Sequence, residues 1–278
     1  MLVIGLISLL VVDASRADSA ANGIVVVLDA GHGGNEPGAS ANEIIERDSN
    51  LDMAYRVQRV LTAAGVKVEF TRSTVQRTDG FVADGLDGLT ATFMDLQARV
   101  ARANALDADV FVSLHSNSYT SSGARGVDVV YNRDRPFAAD NQRLAGLLRD
   151  YVVTELRSLG HEVPSNVWVD SDLVDGYGRR TPMFVLGPER EISESELADR
   201  GLRAHTLGMP SGTTTYRTDE TNAPGALLEL LYLSNLQDAA LLRDEVTRDA
   251  MSRGIANAIL EFLRSRAPIV EPGGMLWY

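Results

Sequence analysis

Short strand-like segments alternate with amphipathic helical segments along the first 160 residues of this chain. Their β-branched and apolar residues predict strands at residues 24–28, 66–70, 109–114 and 126–131. Apolar residues at helical spacing predict helices at residues 46–64, 93–106 and 137–159. Such alternation implies parallel strands joined by crossover helices in one sheet. We therefore predict an α/β fold, a single three-layer domain with a mostly parallel twisted sheet flanked by helices.

The remaining segments complete this domain around one long insertion. A short strand is expected at residues 183–186, an apolar strand at 226–233, and helices at 237–243 and 249–264. Residues 187–222 lack periodicity apart from one short helix near 195–203, so they predict a surface loop or a lid. Because no repeat or linker interrupts the pattern, we expect one domain over residues 22–265, followed by a loose tail at 266–278.

The first 21 residues resemble an export signal. An apolar run at residues 1–12 precedes small polar residues, and Ser15-Arg16-Ala17 has the spacing of a signal-peptide cleavage site. The run is too short to span a bilayer. A positively charged leader is missing, so a plain N-terminal helix is the alternative. We expect an exported protein, located in the periplasm or outside the cell.

Charge and cysteine content restrict the classes of partner and of metal site. The formal net charge of −12 argues against nucleic acids and anionic membrane surfaces, which need clustered Lys and Arg. The chain has no cysteine, which excludes disulfides and thiolate metal sites. Any zinc ion must therefore be held by His, Asp or Glu.

Two histidines follow predicted strands at the ends where α/β sheets bind ligands. His32 lies in the glycine-rich loop DAGHGG after the first strand, and His115 follows the strand at 109–114. A lone histidine at either position is equally well explained as a hydrogen-bonded residue or as an exposed one. The two together, projecting from one sheet edge, favour a shared metal ion.

Two kinds of carboxylate complete the candidate site. Glu229 stands alone in the apolar strand 226–233, where a buried anion is costly, so it faces a polar site, a cation, or solvent at a sheet edge. We expect it to act as a general base. Catalytic zinc commonly takes three protein ligands, so a carboxylate should join the histidines. Glu43 and Glu46 both fit, and Glu46 has the competing explanation of a favourable place at a helix start.

The other candidate motifs do not point to chemistry. His161 follows a helix and His205 lies in the insertion, so we expect both at the surface. Dinucleotide-binding, Walker, Gly-x-Ser-x-Gly and HExxH motifs do not occur in the chain.

An ordered set of segments resembles the zinc-dependent N-acetylmuramoyl-L-alanine amidases, the amidase-3 type of bacterial cell-wall hydrolase. The segments are LDAGHGG, ERDSNLDMA, FTR, LQARVARANALDADVFVSLHSNS, GVDVVY and LLELLYLSNLQDAALL, spread over residues 24–263. The resemblance implies that His32, Glu46 and His115 bind Zn²⁺ and that Glu229 is the catalytic glutamate. It chooses Glu46 over Glu43 by analogy alone.

The resemblance also implies a substrate and a reaction. The substrate is peptidoglycan, and the bond is the amide between N-acetylmuramic acid and the L-alanine of the stem peptide. A zinc peptidase acting on another cell-wall amide and a catalytically silent cell-wall binding or activator module remain as alternatives. The chain shows no wall-binding repeat, so targeting falls to the domain itself or to an unidentified activator protein.

The sequence differs from the family pattern at two places, and each difference leads to an expectation about the site. The position two residues after the catalytic glutamate, usually glycine in the family, is Leu231, which we expect to narrow the site. The insertion at 187–222 is longer than the family connection, and its acidic run at 189–196 suggests a lid over a cationic centre. Deletion of such a lid should raise activity.

Overall fold

The computed structural model describes residues 23–170, 185–199 and 215–266, together with Gly201, Leu202 and Leu207. The strands within these residues are β1 (Val25–Ala30), β2 (Ser40–Ala41), β3 (Ile44–Ile45), β4 (Lys67–Phe70), β5 (Val110–Asn117), β6 (Val127–Tyr131), β7 (Ser165–Val169), β8 (Arg190–Ser193), β9 (Thr215–Thr218) and β10 (Gly225–Tyr232). The helices are α1 (Glu46–Ala63), α2 (Gly88–Ala105), α3 (Ala138–Ser158), α4 (Glu194–Asp199), α5 (Leu236–Arg243) and α6 (Glu245–Arg266).

Six of these strands form a central sheet in the order β4-β1-β5-β10-β6-β7. The first four are mutually parallel, β6 is antiparallel to β10, and β7 is parallel to β6. The predicted mostly parallel α/β sheet is confirmed. Because β10 comes last in the chain yet inserts between β5 and β6, it brings a distant segment beside the strand that carries His115.

Helices cover both faces of the sheet, as a three-layer domain requires. Alternate residues of the strands, such as Val26 and Leu28 of β1, join the main hydrophobic cluster with residues of α1, α3 and α6. The intervening residues, such as Val25 and Val27, join a second cluster with Ala103 of α2. The core is thus divided between the two faces by the period-two geometry of the strands.

The insertion is more regular than the sequence indicated. Strands β8 and β9 pair as an antiparallel hairpin, and α4 follows β8 where a short helix was expected. A small cluster that includes Phe93 of α2 and Ile192 of β8 anchors this unit on α2. Two glutamates of the acidic run pair with arginines of the hairpin, Glu189 with Arg217 and Glu196 with Arg190. The lid hypothesis stays a prediction.

Several other expectations differ from the structure or lie outside it. Strand β7 was not predicted, since its five residues follow Pro164 without a long apolar run. Of the strand expected at 183–186, only Val185 and Leu186 are described, and they form a turn. The N-terminal segment and the tail after Arg266 lie outside the described residues. Among the described helices, none combines the length and apolarity needed to cross a bilayer.

Candidate metal centre

The candidate centre lies at the carboxyl ends of the central parallel strands. His32 follows β1 by two residues, His115 is near the end of β5, and Glu46 is the first residue of α1. Helix α1 packs against both β1 and β5, so its first turn is held beside the strand ends. Three residues spread over more than 80 positions of the chain therefore meet at one sheet edge.

The three side chains approach within coordinating distance of a common point. Oε1 of Glu46 lies 2.8 Å from Nε2 of His32 and 3.1 Å from Nδ1 of His115. One ligand atom from each residue lies within 4.8 Å of the others. Two imidazoles and a carboxylate are a donor set that catalytic zinc commonly takes. The residues present therefore fit a divalent transition-metal ion.

The tertiary structure shows which of the two candidate glutamates lies beside the histidines. Glu43 is exposed in the turn between β2 and β3, with a left-handed φ of 48° at Asn42 before it and 66° at Glu43 itself. Glu46 is buried, and its side chain retains 7% of its accessible surface. Only Glu46 reaches the two histidines.

Charge coupling among these residues shifts their pKa values. Burial lowers the pKa of His32, but hydrogen bonds to Glu36 and Glu46 outweigh burial and raise it to about 9. Burial also opposes ionisation of Glu46, but hydrogen bonds to His115 and His32 hold its pKa well below the usual range. In the metal-free protein a proton on His32 thus balances the carboxylates, and a bound cation can replace that proton.

Glu36 is a functional candidate that the sequence reasoning missed. Its Oε2 lies 2.5 Å from Nδ1 of His32, and its Oε1 accepts a hydrogen bond from the backbone N–H of Gly38. Metal-binding histidines usually donate their second ring nitrogen to such a carboxylate, which fixes the ring orientation. Glu36 lies four residues after His32 in the sequence. This spacing would predict a contact between the two side chains only if the loop were already known to turn back on itself.

Two glycines make the space that the histidine rings occupy. A Cβ atom on Gly31 would come within 2.2 Å of the ring of His115. A Cβ atom on Gly38 would come within 2.6 Å of Oε2 of Glu46 and 2.7 Å of Cδ2 of His32. Any larger residue at these positions would displace a side chain of the centre.

Two buried arginines hold the backbone of the His32 loop from below. Arg99 of α2 donates to the carbonyl oxygens of Ala30 (2.8 Å) and His32 (2.6 Å) and pairs with the buried carboxylate of Asp29 at 2.7 Å. Arg72 donates to the carbonyl oxygens of Ala30 and Gly31 at 2.8 and 2.9 Å. His32 has a left-handed φ of 66°, which costs a non-glycine residue about 1–2 kcal/mol. The arginines stabilise this backbone, and their role was not predicted from the sequence.

Glu229 lies beside the centre on the neighbouring strand. In the parallel pair of β5 and β10 it is registered with His115, so the two side chains project from the same face of the sheet. Although the residue keeps some solvent contact, burial raises the pKa of Glu229 to about 7. A carboxyl group with a pKa near neutrality is suited to accept and release a proton.

Leu231 does not narrow the site as expected. Its side chain is fully buried in the main hydrophobic cluster. Its φ is 61°, and the register between β5 and β10 shifts between Glu229 and Tyr232. A β-bulge with a left-handed residue is a conformation that glycine adopts without strain, which explains why the family pattern has glycine here.

The remaining histidines lie away from the centre or outside the described residues. His161 is partly buried in the loop after α3 and takes no part in the cluster of His32 and His115. His205 lies outside the described residues.

Comparisons with known proteins agree on one family. The Amidase_3 family, described as N-acetylmuramoyl-L-alanine amidase, matches residues 26–174 of the chain. The chain is 25% identical over 242 residues to the N-acetylmuramoyl-L-alanine amidase LytC of Bacillus subtilis, covering 87% of this chain and 36% of LytC. It is 29% identical over 251 residues to the amidase AmiC of Neisseria meningitidis serogroup B, covering 87% of this chain and 53% of AmiC.

A solved structure extends the similarity to the fold. The catalytic domain of CwlV, an N-acetylmuramoyl-L-alanine amidase from Bacillus (Paenibacillus) polymyxa var. colistinus, superposes with a TM-score of 0.57 at 26% identity. The superposition covers 87% of this chain and 98% of the CwlV domain. The chain spans about a third of LytC and about half of AmiC, so the similarity concerns one portion of those longer proteins.

Proposed function

The chain belongs to the Amidase_3 family of N-acetylmuramoyl-L-alanine amidases, and from this we propose that it is a zinc-dependent peptidoglycan amidase. The bond cleaved is the amide between the lactyl group of N-acetylmuramic acid and the L-alanine of the stem peptide. LytC and AmiC carry the name of this activity, which supports the assignment. An enzyme acting on peptidoglycan works outside the cytoplasm, in keeping with the export expected from residues 1–21.

Three side chains would hold the zinc ion: His32, Glu46 and His115. Their ligand atoms already lie within 4.8 Å of one another, and Glu36 would orient the ring of His32 through Nδ1. A zinc ion with three protein ligands supplies a Lewis acid for the scissile carbonyl and lowers the pKa of its water toward neutrality. The partial exposure of both histidines leaves room for substrate to approach.

Glu229 would move the proton during hydrolysis. Its carboxylate would take a proton from the attacking water and deliver it to the nitrogen of the departing L-alanine. The pKa of about 7 suits both steps at neutral pH, because the group is then neither fully ionised nor fully protonated.

The registration of Glu229 with His115 is the observation that carries the proposal. It sets a carboxyl group with a raised pKa next to the His-Glu-His cluster on the same face of the sheet. A binding module without catalysis would gain nothing from a carboxyl group whose burial opposes its ionisation.

Digestion of purified peptidoglycan tests the function. Mass spectrometry of the products should find intact stem peptides with a free L-alanine amino group, together with peptide-free glycan. Shortened peptides that remain attached to glycan would instead identify a peptidase acting on another amide. Absence of any product from zinc-loaded protein would identify a silent binding or activator module.

Metal analysis tests the ligand set separately from turnover. We expect about one zinc ion per chain in the wild type and strong loss of zinc in His32→Ala. His161→Ala is the matched control, since His161 lies outside the cluster, and it should retain zinc. Equal zinc content in all three proteins would remove His32 from the site.

A further inference from the structure

A row of polar side chains crosses four adjacent strands in register. Glu229 of β10 is paired with His115 of β5 on one side and with Asp128 of β6 on the other, and Asp128 is paired with Asn166 of β7. Directly paired residues project from the same face of a sheet. At a strand spacing of about 4.8 Å, Asn166 lies roughly 10 Å beyond Glu229, at the edge of the sheet. The row of polar side chains therefore extends from the candidate centre to the edge of the sheet.

The carboxylate of Asp128 accepts hydrogen bonds from three side chains at this row. Its Oδ2 accepts a hydrogen bond from the hydroxyl of Tyr232 at 2.7 Å. Its Oδ1 accepts bonds from Nδ2 of Asn166 and Nε1 of Trp168, both at 2.9 Å. Asp128 is itself 8% exposed, so these donors satisfy a nearly buried carboxylate. The network fixes the orientation of a phenol, an amide and an indole along one row.

Trp168 and Asn166 are the exposed members of the network, and Trp168 is the larger. It lies two residues after Asn166 on the edge strand β7, so its side chain is on the same face as the row. The residue is 44% exposed although tryptophan is usually well buried. Because Nε1 is bonded to Asp128, the ring is held in one orientation while part of its surface stays open to solvent. An exposed indole held in one orientation beside the candidate centre offers a ligand a preformed aromatic surface.

The opposite side of the centre has a different chemical character. There a cleft of about 400 Å³ lies over the loop that follows β4, next to Gly34 of the His32 loop. Its lining includes the charged side chains Arg77, Asp79 and Asp84. The exposed groups on one side are an amide and an indole, and the cleft on the other side carries charged side chains. This difference fits the two halves of a substrate that joins uncharged sugars to a charged peptide.

We propose that a surface beside the candidate centre, hereafter the β7 subsite, binds an N-acetylated sugar of the glycan strand. The β7 subsite is formed by Trp168, Asn166, Tyr232 and Asp128. The indole of Trp168 would pack against the C–H face of the sugar ring, and Asn166 would face its hydroxyl and acetamido groups. The inference rests on the proposed amidase function and names the side of the site on which the glycan lies. The stem peptide then extends toward the charged cleft.

Tryptophan fluorescence can test the β7 subsite without turnover. The chain has two tryptophans, Trp168 and Trp277, so Trp277→Phe leaves Trp168 as the single reporter. Zinc-loaded protein is titrated with peptide-free glycan of alternating N-acetylglucosamine and N-acetylmuramic acid, and in parallel with free stem peptide. We expect a saturable change in Trp168 emission with the glycan and none with the peptide.

Calorimetric titration with the same glycan measures the contribution of the ring. Trp168→Ala should weaken glycan binding about tenfold, and Trp168→Phe, which keeps an aromatic ring but loses the bond to Asp128, should fall between. Val246→Ala is the matched control, since Val246 is exposed at the start of α6 and lies outside the row. It should bind glycan as the wild type does.

Two results would overturn the glycan assignment. One is an emission change with the stem peptide alone, which would assign the β7 subsite to the peptide. The other is unaltered glycan affinity in Trp168→Ala. The amidase function fails differently: wild-type protein would then bind glycan through Trp168 yet release no stem peptide from purified cell wall.

Discussion

Glu229 and His115 are 114 residues apart in the sequence and lie side by side on the parallel strands β10 and β5. The pairing juxtaposes a carboxyl group whose pKa burial raises to about 7 with an imidazole of the His-Glu-His cluster. The proton transfer and the metal binding that we propose would thus lie on adjacent strands of one sheet.

Replacement of Glu229 should separate these two roles. Glu229→Gln keeps the size of the side chain but cannot accept a proton, so amide hydrolysis should fall about a hundredfold or more. Zinc content should not change. Glu69→Gln, on β4 and paired with Lys67, is the control and should retain activity. Near-normal digestion of peptidoglycan by Glu229→Gln would remove this residue from the mechanism.

Glu36 should contribute to metal affinity without binding the metal. Glu36→Gln weakens the acceptor for Nδ1 of His32, so zinc affinity should fall about ten- to a hundredfold. Competition with a fluorescent chelator measures the change. Glu43→Gln, in the same connection but exposed, should leave the affinity unaltered. Equal affinities in the two variants would contradict the orienting role.

The metal-free protein should lose stability at alkaline pH because of His32. The folded-state pKa of His32 is raised to about 9 from 6.5, so the protonated ring stabilises the folded state. This contribution is complete below pH 6.5 and is lost as the pH rises through 9. The free energy of unfolding of the metal-free protein, measured with urea, should therefore decrease between these pH values. The His32→Gln variant should not show this decrease. A flat profile in the wild type would refute the coupling.

Gly38 should be intolerant of alanine for a reason beyond its backbone. Gly38 and Gly65 both have left-handed φ values, 67° and 82°, so alanine at either costs about 1–2 kcal/mol of strain. Only at Gly38 would the added Cβ approach Glu46 and His32, since nothing lies within 4 Å at Gly65. Zinc affinity should therefore drop in Gly38→Ala and be unaffected in Gly65→Ala. Similar affinities would mean that the loop adjusts freely.

At Leu231 a glycine variant should be more stable than an alanine variant, which is the reverse of the usual order. Both substitutions remove the same buried side chain beyond Cβ, but only glycine relieves the left-handed φ of 61°. Leu231→Gly should therefore be more stable than Leu231→Ala by roughly 1 kcal/mol. At the neighbouring Leu230, whose φ is not left-handed, glycine should be the less stable by about 0.5–1 kcal/mol. Chemical denaturation of the four variants decides the point.

Much of the fold and the main candidate residues follow from the sequence. Strand and helix periodicities are local, so runs such as β1 and α3 identify their own structure within a residue or two. The positions of His32 and His115 relative to their strands then predict that both lie at one sheet edge. Hairpin β8–β9 was missed because its short strands lack a pattern that is stronger than the surrounding polar sequence.

Only the tertiary structure decided which polar groups meet. Glu43 and Glu46 are equivalent by local chemistry, and they are distinguished by the burial of Glu46 beside the strand ends while Glu43 stays exposed. The hydrogen bond from Arg99 to the carbonyl oxygen of His32 and the pairing of Asp128 with Glu229 arise from contacts between segments 60 or more residues apart. A sequence records the period of each element, because that depends on neighbouring residues. It does not record strand order or register, because these depend on the free energy of packing the whole sheet.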